Sequence, residues 1–157
     1  MSAPDRFPPI EALIPHRGTM LLLDRVIEFS DEMAIAEYAP RCDAWYADEA
    51  GDMPAWIGIE LMAQTVAAHV ALVKRQEGLS PKMGALLGAR SYRSTTESFS
   101  TGATLRIRAG MVLRDSSGLG AYECAIEGNG NVLAMAVLKV YEPENFELLV
   151  QGSIDET

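Results

Sequence analysis

Glu60 is the residue whose type and position point most directly to chemistry. It is the only carboxylate between Ala55 and Val73, a stretch that also lacks Lys and Arg. A carboxyl group in apolar surroundings suits general acid catalysis near neutral pH. Gln64 follows four residues later, which places it about 40° further around a helix, where its amide can orient the carboxyl group. The alternative interpretation is a glutamate that is simply solvated at a wet gap or an interface.

The chain has two histidines, His16 and His69. His16 lies in the run Ile14-Pro15-His16-Arg17-Gly18, which indicates a corner between a short helix and a strand. A corner of this kind either brings an imidazole to a pocket or is tied down by it, and both interpretations stay open. His69 comes nine residues after Glu60, about half a turn away, so the two side chains point to opposite faces of a helix. We therefore expect His69 to be a hydrogen-bonded core or interface residue.

Composition narrows the class of protein. The length of 157 residues fits one domain. The formal net charge of −9 argues against a general nucleic-acid binder. Cys42 and Cys124 lack metal-ligand spacing, so we expect free thiols in a cytoplasmic protein. Five of the 13 basic residues fall between Lys74 and Thr96. That segment is either a docking patch for a phosphate or an acidic partner, or a solvated helix end and strand.

The elements that must position these residues centre on one helix. Residues 55–77 contain no proline, are apolar on every face and end at Gly78, which predicts a helix enclosed by other elements. The remaining elements predicted are a short helix from Ile10 to Ile14 and strands over 20–29, 33–39, 83–93, 103–114, 118–127 and 131–141. This order predicts an α+β domain over residues 1–142, with an antiparallel sheet curled around the helix and an acidic tail over 143–157.

Three stretches together resemble a known family. They are the run from Leu13 to Val26, the run from Met53 to Gln64, and Leu87-Gly88 with Arg93 and the run from Gly102 to Leu105. In this order they resemble the β-hydroxyacyl-ACP dehydratases of the hot-dog fold, over about residues 9–142. The longer run from Pro54 to Ala68 is most similar to the dehydratase-like proteins of aryl-polyene pigment synthesis.

The resemblance implies a fold, a reaction and partners. It implies a long helix wrapped by a curved antiparallel sheet, and a dimer in which two sheets join edge to edge. It implies an acyl thioester on the phosphopantetheine arm of an acyl carrier protein. The sequence itself gives no sign of a metal or redox cofactor. The resemblance also implies a histidine that takes the C2 proton and an acid on the long helix, matched here by Glu60, that protonates the leaving hydroxyl. In the family's dimer, the histidine and the acid come from opposite subunits.

Further positions follow from the same resemblance. Backbone N–H groups at the helix start, at Ala55 and Trp56, hold the thioester carbonyl, and Gln64 matches the glutamine that follows the acid. Ala55 stands where the family usually has glycine. The basic residues Lys74, Arg90 and Arg93 are then candidates for docking the acidic carrier.

The chain departs from the family at the catalytic histidine. That residue belongs fourteen positions before the acid, at 60 − 14 = 46, where this sequence has Tyr46; residues 43–59 contain no histidine. Tyrosine is a weak base at neutral pH. Three hypotheses remain: a working dehydratase with His16 or Tyr46 as base, a half-site subunit that lends Glu60 to an active partner, and an acyl-thioester hydrolase in which Glu60 activates water.

Overall fold

A computed structural model describes residues 6–79 and 85–141. One long helix, α1, covers Gly58–Gln76. Three strands precede it along the chain and five follow it. The strands are β1 Arg25–Phe29, β2 Met33–Tyr38, β3 Met53–Pro54, β4 Ala85–Ser94, β5 Ser98–Phe99, β6 Leu105–Arg114, β7 Leu119–Gly128 and β8 Asn131–Tyr141. Short 3-10 turns lie at Ile10–Ala12, Gly18–Met20 and Ala55–Ile57. The predicted tail over 143–157 lies outside the described residues.

The main sheet has six antiparallel strands in the order β1-β2-β6-β7-β8-β4. Alternate residues of β6, β7 and β8 are buried, as expected for a sheet with one covered face. Helix α1 lies against this face and contacts β1, β2, β4, β6, β7 and β8. The predicted α+β architecture, one long helix wrapped by a curved antiparallel sheet, is confirmed.

Helix α1 is apolar because it forms the centre of the core. Eleven of its 19 residues are buried, among them Leu61, Met62, Val66 and Leu72. By length and composition the segment Ala55–Gln76 could cross a membrane, but two-thirds of its apolar window is buried inside the domain. The apolar composition is therefore accounted for by packing against the sheet.

The first strand is shorter than predicted. Strand β1 begins at Arg25, whereas the apolar run begins at Met20. The backbone N–H groups of Leu22 and Leu23 donate to the Gln64 side-chain oxygen, at 3.0 and 3.3 Å. The Gln64 amide in turn donates to the Met20 carbonyl at 2.7 Å. This segment bonds to a buried side chain and therefore does not extend the strand.

A small second sheet, which sequence patterns did not predict, braces the start of the helix. In it β3 pairs with β5, Met53 opposite Phe99 and Pro54 opposite Ser98. Directly after β3, the Ala55 N–H donates to the Glu97 carbonyl at 2.9 Å. The first turn of the helix is thus fixed to the chain that follows β4.

Strand β4 forms one edge of the main sheet and contains a bulge. Its register with β8 shifts between Arg90 and Arg93, and Ser91 has φ of 55°. The extra residue leaves Arg90 and Arg93 exposed on the same outer face, opposite Val137 and Met135 of β8.

Candidate active site

An apolar groove of about 360 Å³ opens at the start of α1. Its walls come from the second 3-10 turn, the 40–52 loop and the first turns of the helix region. The lining residues are Thr19, Met20, Leu22, Trp45, Trp56, Ile57, Ile59 and Glu60. Glu60 is the one ionisable side chain of this lining, so the groove combines an apolar wall with a single carboxyl group.

Two side chains contact the Glu60 carboxyl group. Its Oε1 accepts a hydrogen bond from Gln64 Nε2 at 3.0 Å, the contact that helical spacing predicts. The same oxygen lies 3.4 Å from His16 Nε2, within ion-pair distance. The Glu60 side chain is 38% exposed, because it lies at the groove wall and not beneath the sheet.

Gln64 is fully buried, and both ends of its amide are occupied. Its oxygen accepts from the two backbone N–H groups of Leu22 and Leu23, and its nitrogen donates to Met20 O and to Glu60. A fully satisfied buried amide has one orientation and resists rotation. Gln64 therefore joins the 20–23 segment to the helix and fixes the position of the Glu60 carboxyl group.

His16 is brought next to Glu60 although 44 residues separate them. Its side chain is 26% exposed, and its Nδ1 is buried with no hydrogen-bond partner among the residues that the structure describes. The corner itself is tied by Arg17, whose guanidinium donates to the carbonyls of Glu11, Ile14 and His16. Since Arg17 holds the corner, the His16 imidazole has the Glu60 carboxyl group as its one polar contact among the described residues.

Tyr46 is placed differently. It is buried behind Trp45, with ring centroids 5.6 Å apart. Its hydroxyl lies 2.5 Å from the Tyr38 hydroxyl and accepts the Arg41 N–H at 3.0 Å. Burial raises the pKa of Tyr38. The structure thus gives the Tyr46 hydroxyl a loop-holding position and does not bring it to Glu60.

The two predicted carbonyl-binding amides also differ. The Ala55 N–H already donates to Glu97 O, so this amide is not a free donor for a substrate carbonyl. Trp56 comes next in the 3-10 turn and lines the groove, and amides in a first helical turn lack intrahelical acceptors. Any carbonyl bound at the helix start is therefore expected at Trp56 and the residue after it.

A family model with the description ApeP-like, ApeP dehydratase, matches residues 8–151. The chain belongs to the ApeP-like dehydratase family. Among solved structures, the dehydratase heterocomplex ApeI:P from Xenorhabdus doucetiae contains a chain 29% identical to this one. The TM-score is 0.85, over 93% of this chain and 97% of that chain.

More distant structures share the fold alone. A hypothetical thioesterase protein with coenzyme A from Streptococcus pneumoniae is 12% identical, with a TM-score of 0.61 over 75% of this chain and 84% of that one. The E. coli PaaI protein is 13% identical, with a TM-score of 0.58 over 75% and 82%. No curated protein matches the chain. The fold is the hot-dog fold, and the chain is a dehydratase-like protein.

In this ApeP-like chain, sequence patterns missed the groove residue Trp45. Its indole is 57% exposed, and its Nε1 donates to the Thr19 carbonyl at 3.0 Å. The available signal was a tryptophan within a polar, acidic loop.

His69 occupies the fully buried position that sequence reasoning expected. Its Nδ1 lies 2.9 Å from the Tyr122 hydroxyl, and its Nε2 lies 3.1 Å from the carbonyls of Ser30 and Asp31. Carbonyls only accept, so Nε2 carries the proton and Nδ1 accepts from Tyr122. Burial lowers the pKa of His69, which keeps the ring neutral.

The three basic residues of the predicted carrier patch do not lie together. Arg90 and Arg93 share the outer face of β4, whereas Lys74 is in the last turn of α1, on the covered side of the sheet. Between the two arginines, Tyr92 points inward and its hydroxyl donates to the Ala55 carbonyl. Tyr92 therefore places this part of β4 level with the start of the helix, with the two arginines on the opposite face of the sheet, and Lys74 lies at the other end of the helix. The roles assigned to all of these site residues stay predictions.

Proposed function

We propose that this chain is a subunit of a 3-hydroxyacyl-ACP dehydratase of aryl-polyene synthesis, with Glu60 as general acid and His16 as base. The supporting observation is the contact of 3.4 Å between His16 Nε2 and Glu60 Oε1 at the wall of an apolar groove. Dehydration needs a base for the C2 proton and an acid for the hydroxyl on the adjacent carbon. Two groups this close suit a reaction at two adjacent carbons.

The proposed step is an elimination. His16 Nε2 accepts the C2 proton, and the electron pair of that C–H bond forms the C2–C3 double bond. The C3–O bond breaks as protonated Glu60 gives its proton to the leaving hydroxyl, which departs as water. The imidazolium of His16 then returns a proton to the Glu60 carboxylate across the same contact. Gln64 holds the receiving oxygen in place throughout.

A second hot-dog subunit completes the assembly in this proposal. The similar ApeI:P structure is a dehydratase heterocomplex. Strand β4 is the last strand of the main sheet, so one of its edges has no neighbour within the sheet order. We place the partner's sheet at this edge, in a heterodimer or in a homodimer.

A composite site is the second candidate, and Tyr46 is the observation that favours it. Tyr46 stands at the sequence position of the family's catalytic histidine, and its hydroxyl is held by Tyr38 and Arg41. In the composite site, this chain provides the general acid, Glu60, and the partner subunit provides the base. His16 then stabilises the carboxylate without removing the C2 proton.

The test is hydration of crotonyl-ACP, measured for the purified chain and for the chain mixed with a second dehydratase subunit. Activity of the chain alone supports His16 as base, and activity only on mixing supports the composite site. Free acid and free carrier thiol as products would instead identify a hydrolase. Sedimentation as a 17.0 kDa monomer in both samples contradicts the proposed assembly.

The acyl carrier protein is the second proposed partner, and the cytoplasm is the proposed location. Such carriers are acidic, and the net charge of −9 would repel them without a local basic surface. We assign that surface to Arg90 and Arg93, which are exposed on the outer face of β4, the face of the sheet away from the helix. Phosphopantetheine enters as part of the substrate.

A further inference from the structure

The peptide group that joins Ala55 to Trp56 is held firmly at its oxygen end. The Ala55 carbonyl accepts two hydrogen bonds, one from the Gly58 N–H and one from the Tyr92 hydroxyl on strand β4. The nitrogen end of the same peptide group is the Trp56 N–H, a donor expected to bind a substrate carbonyl. Tyr92 therefore bonds to one end of the peptide group that carries this donor at its other end.

Tyr92 reaches the start of the helix because strand β4 is bulged. Side chains two residues apart in a regular strand share a face, so Tyr92 would lie on the outer face with Arg90. The register of β4 with β8 shifts between Arg90 and Arg93, and Ser91 has φ of 55°. The Tyr92 side chain instead packs against the core. An uncommon backbone conformation for serine thus accompanies the inward position of the tyrosine.

Gly58 leaves the space that the Tyr92 hydroxyl occupies. A Cβ at Gly58 would meet the Tyr92 oxygen, and it would lie only 3.0 and 3.3 Å from the side chains of Ile126 and Phe99. Gly58 is also the first residue of α1, and glycine favours a helix less than alanine does. The bulge in β4 and the glycine in α1 therefore allow the same contact between Tyr92 and Ala55.

Tyr92 acts as a donor in this contact, because a carbonyl oxygen only accepts. Burial raises the pKa of Tyr92, so its hydroxyl keeps its proton at neutral pH. Hydrogen bonds that are connected in a chain polarise one another. A bond to the Ala55 oxygen therefore strengthens the Trp56 N–H as a donor and holds it in one orientation.

We propose that Tyr92 is a positioning residue for the dehydration, and that its hydroxyl orients and polarises the peptide group whose Trp56 N–H binds the thioester carbonyl. This inference rests on the proposed function, in which His16 takes the C2 proton. As the C2–H bond breaks, negative charge develops on the thioester oxygen. A donor that is already oriented stabilises this charge more than it stabilises the neutral carbonyl, so the contribution of Tyr92 belongs to the transition state.

Tyr92→Phe removes the hydroxyl and keeps the ring. In the assembly that hydrates crotonyl-ACP, kcat should fall about tenfold while KM stays within about twofold. The loss is smaller than the roughly 10²–10³-fold that removal of a whole donor causes, because the Trp56 N–H remains.

Tyr122→Phe is the matched control. It removes another inward-pointing tyrosine hydroxyl, which lies 2.9 Å from His69 Nδ1 and away from the groove lining. Both variants lose an internal hydrogen bond, so both should lower the melting temperature. Only Tyr92→Phe should lower kcat.

An infrared measurement tests the Trp56 donor without turnover. Butyryl-pantetheine labelled with ¹³C at its thioester carbonyl has no double bond to hydrate and no 3-hydroxyl group to lose. Bound to the unaltered assembly, its carbonyl stretch should lie at lower frequency than in an apolar solvent, because the carbonyl accepts a hydrogen bond. The frequency should rise in Tyr92→Phe and stay unchanged in Tyr122→Phe.

Four results would overturn the inference. They are an unchanged carbonyl frequency in Tyr92→Phe, an equal loss of kcat in Tyr122→Phe, recovery of kcat in Tyr92→Phe at saturating second subunit, and no binding of butyryl-pantetheine to the unaltered assembly. The third result would assign the hydroxyl to subunit assembly. Full turnover in Glu60→Gln rejects the proposed dehydratase, whereas the carbonyl frequency still decides the role of Tyr92, so the two failures are distinguishable.

Discussion

The two histidines of this chain occupy contrasting positions at one helix: His16 contacts the first turns of α1 from outside, and His69 is part of α1. His16 reaches Glu60 at the first turns of α1, is partly exposed, and has a buried Nδ1 without a partner among the described residues. His69 lies nine residues further along, is fully buried, and has both ring nitrogens bonded to Tyr122, Ser30 and Asp31. Residue type alone does not distinguish a partly exposed imidazole beside a carboxyl group from a buried, fully hydrogen-bonded one.

The difference lies in what else holds each region together. At the first turns of α1, hydrogen bonds from Arg17 hold the corner and those of Gln64 hold the 20–23 segment. His16 is therefore not needed to hold either of them in place. At His69, by contrast, the ring is the bond between the helix, the β1–β2 turn and β7. A functional side chain becomes available when neighbouring residues take over the structural hydrogen bonds.

Glu60→Gln is expected to have the largest effect, at the reactive end of the comparison. The amide keeps the shape and can still contact Gln64, but it cannot donate a proton as a carboxylic acid does. General acid–base assistance is worth about 10²–10⁴-fold in rate, so dehydration should fall by at least the lower factor. Circular dichroism and sedimentation should show an unchanged fold and assembly. Full turnover with every partner subunit would remove Glu60 from the mechanism.

His16→Asn separates the base from a corner tie. If His16 takes the C2 proton, turnover should fall about 100-fold while the melting temperature changes little, since Arg17 already holds the corner. Arg17→Lys is the matched control and should lower stability more than turnover. Intact turnover in His16→Asn, with reduced stability, would give His16 the structural role.

His69→Gln addresses the other histidine and should act on stability. Losing buried hydrogen bonds costs about 1–3 kcal/mol of unfolding free energy, with activity per folded molecule retained. Because the pKa of His69 is lowered in the folded state, the unfolded chain binds that proton first. Stability from the neutral ring is complete above about pH 6.5 and is lost as the pH falls below it, by at most about 1.4 kcal/mol per pH unit.

The matching measurement is urea unfolding between pH 7 and pH 5. The unaltered chain should lose more stability over this range than the His69→Gln variant. The neighbouring charges on Asp31 and Arg114 are present in both proteins, so the difference isolates the histidine. Parallel curves would show that His69 does not titrate in this range.

Carrier binding gives the smallest expected effect, and it compares the charges on β4 with the charge at the C-terminal end of α1. The double variant Arg90→Glu with Arg93→Glu should weaken carrier binding about tenfold at low salt and less at high salt, by screening. Lys74→Glu changes the charge at the far end of α1, 14 residues or about 21 Å from Glu60 at 1.5 Å per residue. Its effect should stay within about threefold. Equal losses would show that the carrier covers both ends.

Much of the fold was accessible from sequence because its signals are local. The proline-free apolar run over 55–77 predicted the helix, and the patterns over 118–127 and 131–141 predicted β7 and β8. The predicted start of the first strand at residue 20 was wrong, because the segment after Met20 bonds to Gln64, a side chain 44 residues away. The two-residue pair β3 and β5 was missed since so short a pairing leaves no periodic pattern.

The site divides in the same way. The contact of Glu60 with Gln64 follows from a spacing of four on one helix, so sequence predicted it. The approach of His16 to Glu60 depends on how the 16–24 segment crosses the helix, which no local pattern encodes. The use of the Ala55 amide by Glu97 and the exposure of Trp45 are likewise results of tertiary packing.

The close contact between Tyr92 and Gly58 restricts which residues of this chain can vary. The Tyr92 hydroxyl occupies the space that a Cβ on Gly58 would fill, while it donates to the Ala55 carbonyl. Tyr92 belongs to the edge strand β4, at which we place the partner, and Gly58 begins the helix that carries Glu60. Descendants of this gene that adopt a new partner are therefore free to vary the outward residues of the edge, while positions 58 and 92 must change together or remain fixed.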